Sequence, residues 1–217
     1  SRLAVEAPIV KDKVSFIVAG RRSYIDVLAK PALKKRQPEL ADAKFYFYDL
    51  TAKVNWKVND KNTVFLSGYL GRDVFGAGFT FNWGNATTSL RWNHIFNSKL
   101  FMNTTAFYSN YDYQLGFKSE GTSEKFEWRS NIINYSLKPD FSYYLNSKNT
   151  IRFGVQAILF DFRPGKAAVT DNQGRTSNLS LENKKGLEYA GYIGNEQKLL
   201  PRLTVEYGLR WSFYDAT

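Results

Sequence analysis

The sequence predicts an all-β chain, an antiparallel up-and-down transmembrane β-barrel of about ten strands. Three observations predict it. Long stretches alternate apolar and polar side chains with a period of two, as strands with two unlike faces require. Tight polar turns alternate with longer connections, which gives an antiparallel meander two different rims. Tyr and Trp stand at the ends of an apolar face, where an amphipathic ring keeps its body in hydrocarbon and its polar atom among headgroups.

The elements follow in order. After the lead SRLAVEAP, the alternation in KVSFIVAGRRSYIDVL predicts one long strand over Lys13–Leu28. The Pro- and Lys-bearing segment KPALKKRQPEL then reads as a loop. In FYFYDLTAKVNWKVND, Tyr46, Tyr48, Leu50, Ala52, Val54, Trp56 and Val58 share one face, and Asp49, Thr51, Lys53, Asn55 and Lys57 the other. From Tyr46 to Trp56 the chain advances about 33 Å, which a tilt near 45° projects to about 23 Å, close to the roughly 25 Å apolar band of a membrane barrel. The even face is expected to meet lipid, and the odd face a wide lumen holding water or a plug.

TVFLSGYLGRD returns from the turn NDKN, and a Gly-rich connection around Phe75–Phe81 leads into NATTSLRWNHIF. There Ala86, Thr88, Leu90 and Trp92 oppose Asn85, Thr87, Ser89, Arg91 and Asn93. The turn NSK feeds LFMNTTAFYSNYDYQLGF, and KSEGTSE separates it from a strand over Phe126–Leu145. Pro139 inside that strand predicts an interrupted ladder bond or a nearby end. NSKN turns into TIRFGVQAILFDF, a polar loop spans Arg163–Lys184, and GLEYAGYIGNEQKL pairs with LTVEYGLRWSFYD through LPR. The long connections, at Asp26–Lys44, Val74–Asn82, Lys118–Lys125 and Arg163–Lys184, fall at one rim, and the tight turns at the other.

Composition narrows the function. The 217 residues contain no Cys, which removes disulfides, thiolate metal sites and Cys nucleophiles. No apolar run reaches the roughly 20 residues of a spanning helix, so any membrane crossing is by strands. A mean hydropathy of -0.41 carries no weight against this, because a dyad pattern cancels in the mean. No signal-peptide layout follows Ser1, so the true start is expected upstream. The net charge of +10 is spread over turns and polar faces, so anionic lipid or an anionic solute is expected and nucleic acid is not. A soluble sandwich or lipocalin-like barrel predicts shorter strands.

No constellation points to catalysis, and the chain is expected not to be an enzyme and to bind no cofactor or metal. His94, the one histidine, lies beside a tight turn and reads as a rim residue. Asp112, Glu120, Glu124 and Glu127 cluster without the spacing that selects an acid and base pair. GYLGRDVFGAG lacks the Lys and helix of a phosphate-cradling loop.

APIVKDKVSFIVAGRRSYIDVL, FYFYDLTAKVNWKVNDKNTVFLSGYLGRD and WGNATTSLRWNHIFNSKLFMNTTAFYSNYDY resemble consecutive barrel strands of TonB-dependent outer-membrane receptors in the style of Bacteroidota. LEYAGYIGNEQKLLPRLTVEYGLRWSFYD resembles the strand pair seen more widely in such receptors. The resemblance implies a 22-stranded barrel in the outer membrane of a Gram-negative cell, of which residues 1–217 are an internal section lacking the plug and the remaining strands. It implies energised uptake of a scarce solute (siderophore, glycan or peptide), with the TonB complex acting through the missing plug and a surface lipoprotein as a possible partner. Ligand contacts are expected from inward residues near the outer rim, namely Arg21, Asp49, Arg72, Asp73, Arg129 and Glu188. The Lys30–Arg36 cluster is expected on an outer loop facing lipopolysaccharide phosphate. The alternative is a self-contained ten-stranded outer-membrane barrel with an enzymatic or adhesin role.

Overall fold

The computed structural model describes residues 1–36, 43–76, 79–118 and 123–216. The elements are β1 (Arg2–Val10), β2 (Val14–Arg22), α1 (Ile25–Arg36), β3 (Lys44–Asn59), β4 (Asn62–Gly76), β5 (Phe79–Ile95), β6 (Leu100–Lys118), β7 (Lys125–Asn146), β8 (Asn149–Thr170), β9 (Thr176–Ser180), β10 (Lys184–Leu200) and β11 (Leu203–Ala216). Ten strands form an antiparallel meander in the order β1-β2-β3-β4-β5-β6-β7-β8-β10-β11, and β9 pairs with β8 alone. Among the described residues, β1 and β11 do not pair with each other, so the sheet is open. A self-contained ten-stranded barrel requires that closure, and the sheet does not make it.

The tight turns share one device. Asn97 Oδ1 accepts the Lys99 and Leu100 amides at 2.9 and 3.0 Å, and Asn146 Oδ1 accepts those of Lys148 and Asn149, both at 2.9 Å. Asn59 Oδ1 accepts the Lys61 amide at 3.0 Å. A short amide side chain thus bonds the backbone two residues on and fixes the reversal. These turns mark the lower rim, and the longer connections the upper one.

Three expectations change at the upper rim. The strand begun at Lys13 stops at Arg22, and Ile25–Arg36 is a helix, not a loop. Asp26 in its first turn and Lys34 and Lys35 in its last complement the helix dipole. The Tyr24 carbonyl accepts the Val27 and Leu28 amides, so Pro31 costs one internal bond without preventing the helix. The basic cluster from Lys30 therefore stands on a helix, and its continuation over 37–40 lies outside the described residues. So do residues 119–122 of the Lys118–Lys125 connection, Glu120 included. The Val74–Asn82 connection is mostly ladder, with Val74 opposite Asn82, Phe75 opposite Phe81 and Gly76 opposite Thr80. The Arg163–Lys184 loop is mostly strand, since β8 runs on to Thr170 and turns at Asp171 into β9. Glycine suggested a turn in the first place and polar composition a loop in the second, while Phe, Thr and Val supplied good strand formers.

Pro139 sits well inside β7, opposite Thr104. On its other side the ladder with β8 passes from Leu137–Ala157 to Asp140–Gly154, so the missing N–H interrupts pairing without ending the strand.

Register shows the two faces directly. One row crosses all ten strands of the meander: Ala7, Phe16, Val54, Leu66, Leu90, Ala106, Leu137, Ala157, Tyr189 and Phe213. Every member is apolar or aromatic. The neighbouring row on the opposite face is mixed: Ile17, Lys53, Ser67, Ser89, Phe107, Ser136, Ile158, Glu188 and Tyr214. This second face carries more rings than the alternation in β3 and β5 suggests. It also holds ion pairs and polar contacts, including Arg152 to Glu196 at 2.7 Å and Tyr192 donating to Asp140.

The apolar face does not converge on a core. Leu50, Leu90, Val155 and Val205 are 50%, 45%, 56% and 37% exposed. The upper limit of the apolar belt slants along the strands, from Leu70 and Ala86 in the row of Leu50, through Tyr108 and Leu159 in the row of Ala52, to Phe213 in the row of Val54. A slab crossed by tilted strands produces such a slant. At the lower limit, Asn62 Oδ1 accepts Trp92 Nε1 at 2.9 Å and lies 2.7 Å from His94 Nδ1, and His94 packs edge-on against Phe96. His94 is thus part of an aromatic rim, as expected. Among the described residues, no helix is long and apolar enough to cross a membrane.

Candidate functional site

The second face becomes strongly aromatic toward the upper rim. Two registered rows run across β3 to β7: Phe45, Phe75, Phe81, Leu115 and Trp128, then Phe47, Asp73, Trp83, Tyr113 and Ser130. Strand pairing sets side chains about 5 Å apart across the sheet, so the rings meet. Phe45 and Phe75 pack edge-on at 4.7 Å between centroids, and the contacts continue from Phe75 to Phe79 (5.3 Å), Phe79 to Phe117 (6.0 Å) and Phe117 to Phe126 (6.1 Å). Phe81 lies 5.0 Å from Trp83. Phe75 and Phe117 remain 39% and 48% exposed, so the wall offers its rings to whatever occupies that side.

Three of the six expected contact residues border this wall. Arg21 and Asp49 are registered opposite each other and form an ion pair. The Arg21 guanidinium also lies 5.1 Å from the centre of the Phe47 ring, a cation–π distance. Asp73 stands between Phe47 and Trp83 in its row. Glu188 is on the same face but five strand steps from β4, roughly 24 Å across the sheet. It faces Ile158 and Tyr214, away from the other three.

Arg72 and Arg129 correct the expectation. Both are on the face of the apolar belt, because Arg72 shares the β4 parity of Leu66 and Leu70 and Arg129 the β7 parity of Ile133 and Leu137. The alternation of β4 places the side chain two residues beyond Leu70 outward, so nearness to the rim did not make it inward. Arg72 donates to both Asp112 carboxylate oxygens at 2.9 and 2.8 Å and to Asn82 at 2.7 Å. It joins Arg129 in bordering a recess of about 560 Å3, which Asp112, Asn131, Arg163 and Lys166 also line.

Sequence reasoning missed the aromatic wall, although its signal was present. Phe75, Phe79, Phe81 and Trp83 recur at odd positions through a segment that its glycines marked as a connection. Among the described residues, no group of three or more His, Cys, Asp or Glu side chains is placed to hold a metal ion.

No protein-family model matches the sequence, and no curated protein matches it. Solved structures do match. The copper transporter OprC aligns with a TM-score of 0.71 at 11% identity, covering 94% of this chain and 33% of its own. BauA, the ferric preacinetobactin receptor from Acinetobacter baumannii, aligns at 0.69 and 9% identity, covering 100% of this chain and 39% of its own. The outer membrane transporter YddB from Escherichia coli aligns at 0.64 and 11% identity, covering 99% and 33%.

The chain shares its fold with part of each of these structures. At these identities the likeness is one of fold, and the chain spans between 33% and 39% of the length of these three structures.

Proposed function

We propose that this chain is part of the wall of a TonB-dependent transporter in the outer membrane of a Gram-negative cell, of the Bacteroidota type, taking up a scarce solute. The observation that carries the reading is the apolar row across ten strands. It is exposed on one face of a sheet whose other face mixes polar, charged and aromatic side chains and becomes strongly aromatic toward the upper rim. A sheet with hydrocarbon on one side and water or protein on the other has that distribution. The fold shared with a copper transporter, a ferric siderophore receptor and an outer membrane transporter supports it.

The aromatic wall is the solute-facing surface in this reading. Rings stack on flat apolar or sugar faces, Arg21 and Asp49 at the border are spent on each other, and Asp73 within the wall adds a negative charge. The wall therefore favours a glycan or an aryl-bearing chelate over a compact multivalent anion. Energy comes from the TonB complex through a plug domain. A surface lipoprotein closing over the rim and surrounding lipopolysaccharide complete the set of partners.

The test is uptake in cells lacking the gene and complemented with wild type, Trp83→Ala or Phe117→Ala. Radiolabelled oligosaccharides, ferric catecholates and copper serve as solutes, with and without a protonophore. The expected result is accumulation of one solute class that needs the gene and the proton gradient and falls in both variants. Uptake of the whole panel at wild-type rates without the gene overturns the reading, as does uptake that the protonophore leaves untouched.

A further inference from the structure

We propose that the outward recess holding Arg72, Asp112, Arg129, Asn131, Arg163 and Lys166 is a seat for the phosphate of an outer-leaflet glycolipid headgroup. The inference rests on the membrane placement proposed above, but on separate residues. One registered row, Arg22, Tyr48, Arg72, Gly84, Asp112, Asn131 and Arg163, runs along the apolar face just above its upper limit. Leu70 precedes Arg72 by one outward position in β4, and Ile133 stands next to Asn131 in β7. A group in this row meets headgroups, while a solute crossing the barrel passes on the other side of the sheet.

The charge is arranged for an anion. Four cationic side chains and one carboxylate line the recess. Arg72 is fixed by Asp112, and Arg163 by Asp161 at 2.8 Å. Arg129 and Lys166 face each other across β7 and β8 and are less committed. The Arg129 side chain is 66% exposed, and its guanidinium comes no nearer than 3.8 Å to a Glu127 oxygen. The Lys166 side chain makes no ion pair or hydrogen bond among the described residues. Asn131 donates to Asn110 at 3.1 Å, which orients a polar floor between the cations. The volume of about 560 Å3 lies within the range of small-ligand sites. Charge-assisted bonds from these two less committed cations to phosphate oxygens are the strongest the recess can make.

The test uses the full-length protein carrying these residues, purified in detergent and studied by native mass spectrometry. The probes are bisphosphorylated lipid A, the same lipid after removal of its phosphates, and inorganic phosphate. The expected result is retention of the phosphorylated lipid alone, weakened about thirtyfold in the Arg129→Gln, Lys166→Gln double variant, as two interfacial cations imply. Arg21→Gln, on the other face, leaves retention unchanged. Equal retention by wild type and double variant overturns the seat. So does retention of the dephosphorylated lipid, or displacement of lipid A by inorganic phosphate at equal concentration. If the double variant does not fold, each single variant, Arg129→Gln or Lys166→Gln, is compared with wild type in its place, and equal retention again overturns the seat. A quencher carried on lipid tails and a label at Leu90→Cys separate the seat from the membrane placement. A quenched label without lipid A retention removes only the seat, whereas an unquenched label removes the membrane placement.

Discussion

Leu90→Arg is the most direct test of which face meets hydrocarbon. Leu90 lies between Leu66 and Ala106 in the apolar row. Along its own strand it is about 13 Å from His94 at the lower rim and about 13 Å from Ala86 at the upper limit, so it sits deep in the slab. A cation on the lipid face of a barrel costs about 2–4 kcal/mol near the midplane and about 0–1 kcal/mol near the interface. The substitution should therefore shift the folding equilibrium by about 30- to 800-fold. Ser89→Arg, one residue away on the opposite face, adds the same charge beside Ser67 and Phe107 and should cost under about 0.5 kcal/mol. Urea unfolding of the full-length protein in phospholipid vesicles, followed by Trp fluorescence, measures both. Equal costs, or the larger cost at Ser89, would refute the sidedness argument at its root.

Other outcomes follow from particular contacts. A Cβ at Gly208 would lie 2.6 Å from the Ile193 carbonyl oxygen and 2.8 Å from Gly194 Cα, whereas one at Gly191 meets nothing within 4 Å. Gly208→Ala should lose about 1–3 kcal/mol by forcing backbone apart while Gly191→Ala stays within about 0.5 kcal/mol, both read by the same unfolding assay. Asn146→Ala removes the acceptor of two turn amides and should cost about 0.5–1.5 kcal/mol, with faster amide exchange at Lys148 and Asn149. Asp171 accepts the Arg175 and Gln173 amides and pairs with the Arg175 side chain, which hold its carboxyl below the ordinary carboxylate range. The folded state thus binds its proton less readily than the unfolded one, so the support it gives the β8–β9 turn is present above about pH 4 and fades as pH falls through the lowered value. Hydrogen exchange at Thr176–Ser180 should accelerate in that acid range, and the Asp171→Asn variant should show no such acid step.

Much of the fold was legible because a dyad pattern states both periodicity and sidedness. In β3 and β5 the alternation is nearly unbroken and located the strands and their outward residues, while the short polar stretches NDKN, NSK and NSKN marked the turns at Asn59, Asn97 and Asn146. Where glycine and proline interrupted the pattern, local signals outweighed pairing that only a neighbouring strand supplies. Gly76 looked like a break, yet it pairs with Thr80, and in the segment read as a polar loop the chain around Gly165 bulges past the Trp128 ring and carries on. Arg72 shows the limit for the site. Its nearness to the rim was readable, but its side depends on parity counted from Leu70, and its partner Asp112 is two strands away. The Arg21–Asp49 pair was named residue by residue and was brought together, since both lie on one face of adjoining strands.

β7 has 22 residues, about 73 Å of chain, which a 45° tilt projects to roughly 50 Å, or about twice the apolar band. The surplus stands above the belt as hydrogen-bonded ribbon, and the phenylalanines at its top are mounted on stiff panelling. Such a surface has already surrendered its conformational freedom during folding. Under the solute-facing role proposed for the wall, capture there demands little further ordering from the protein, and selectivity comes from how well an incoming molecule matches a fixed spacing of rings.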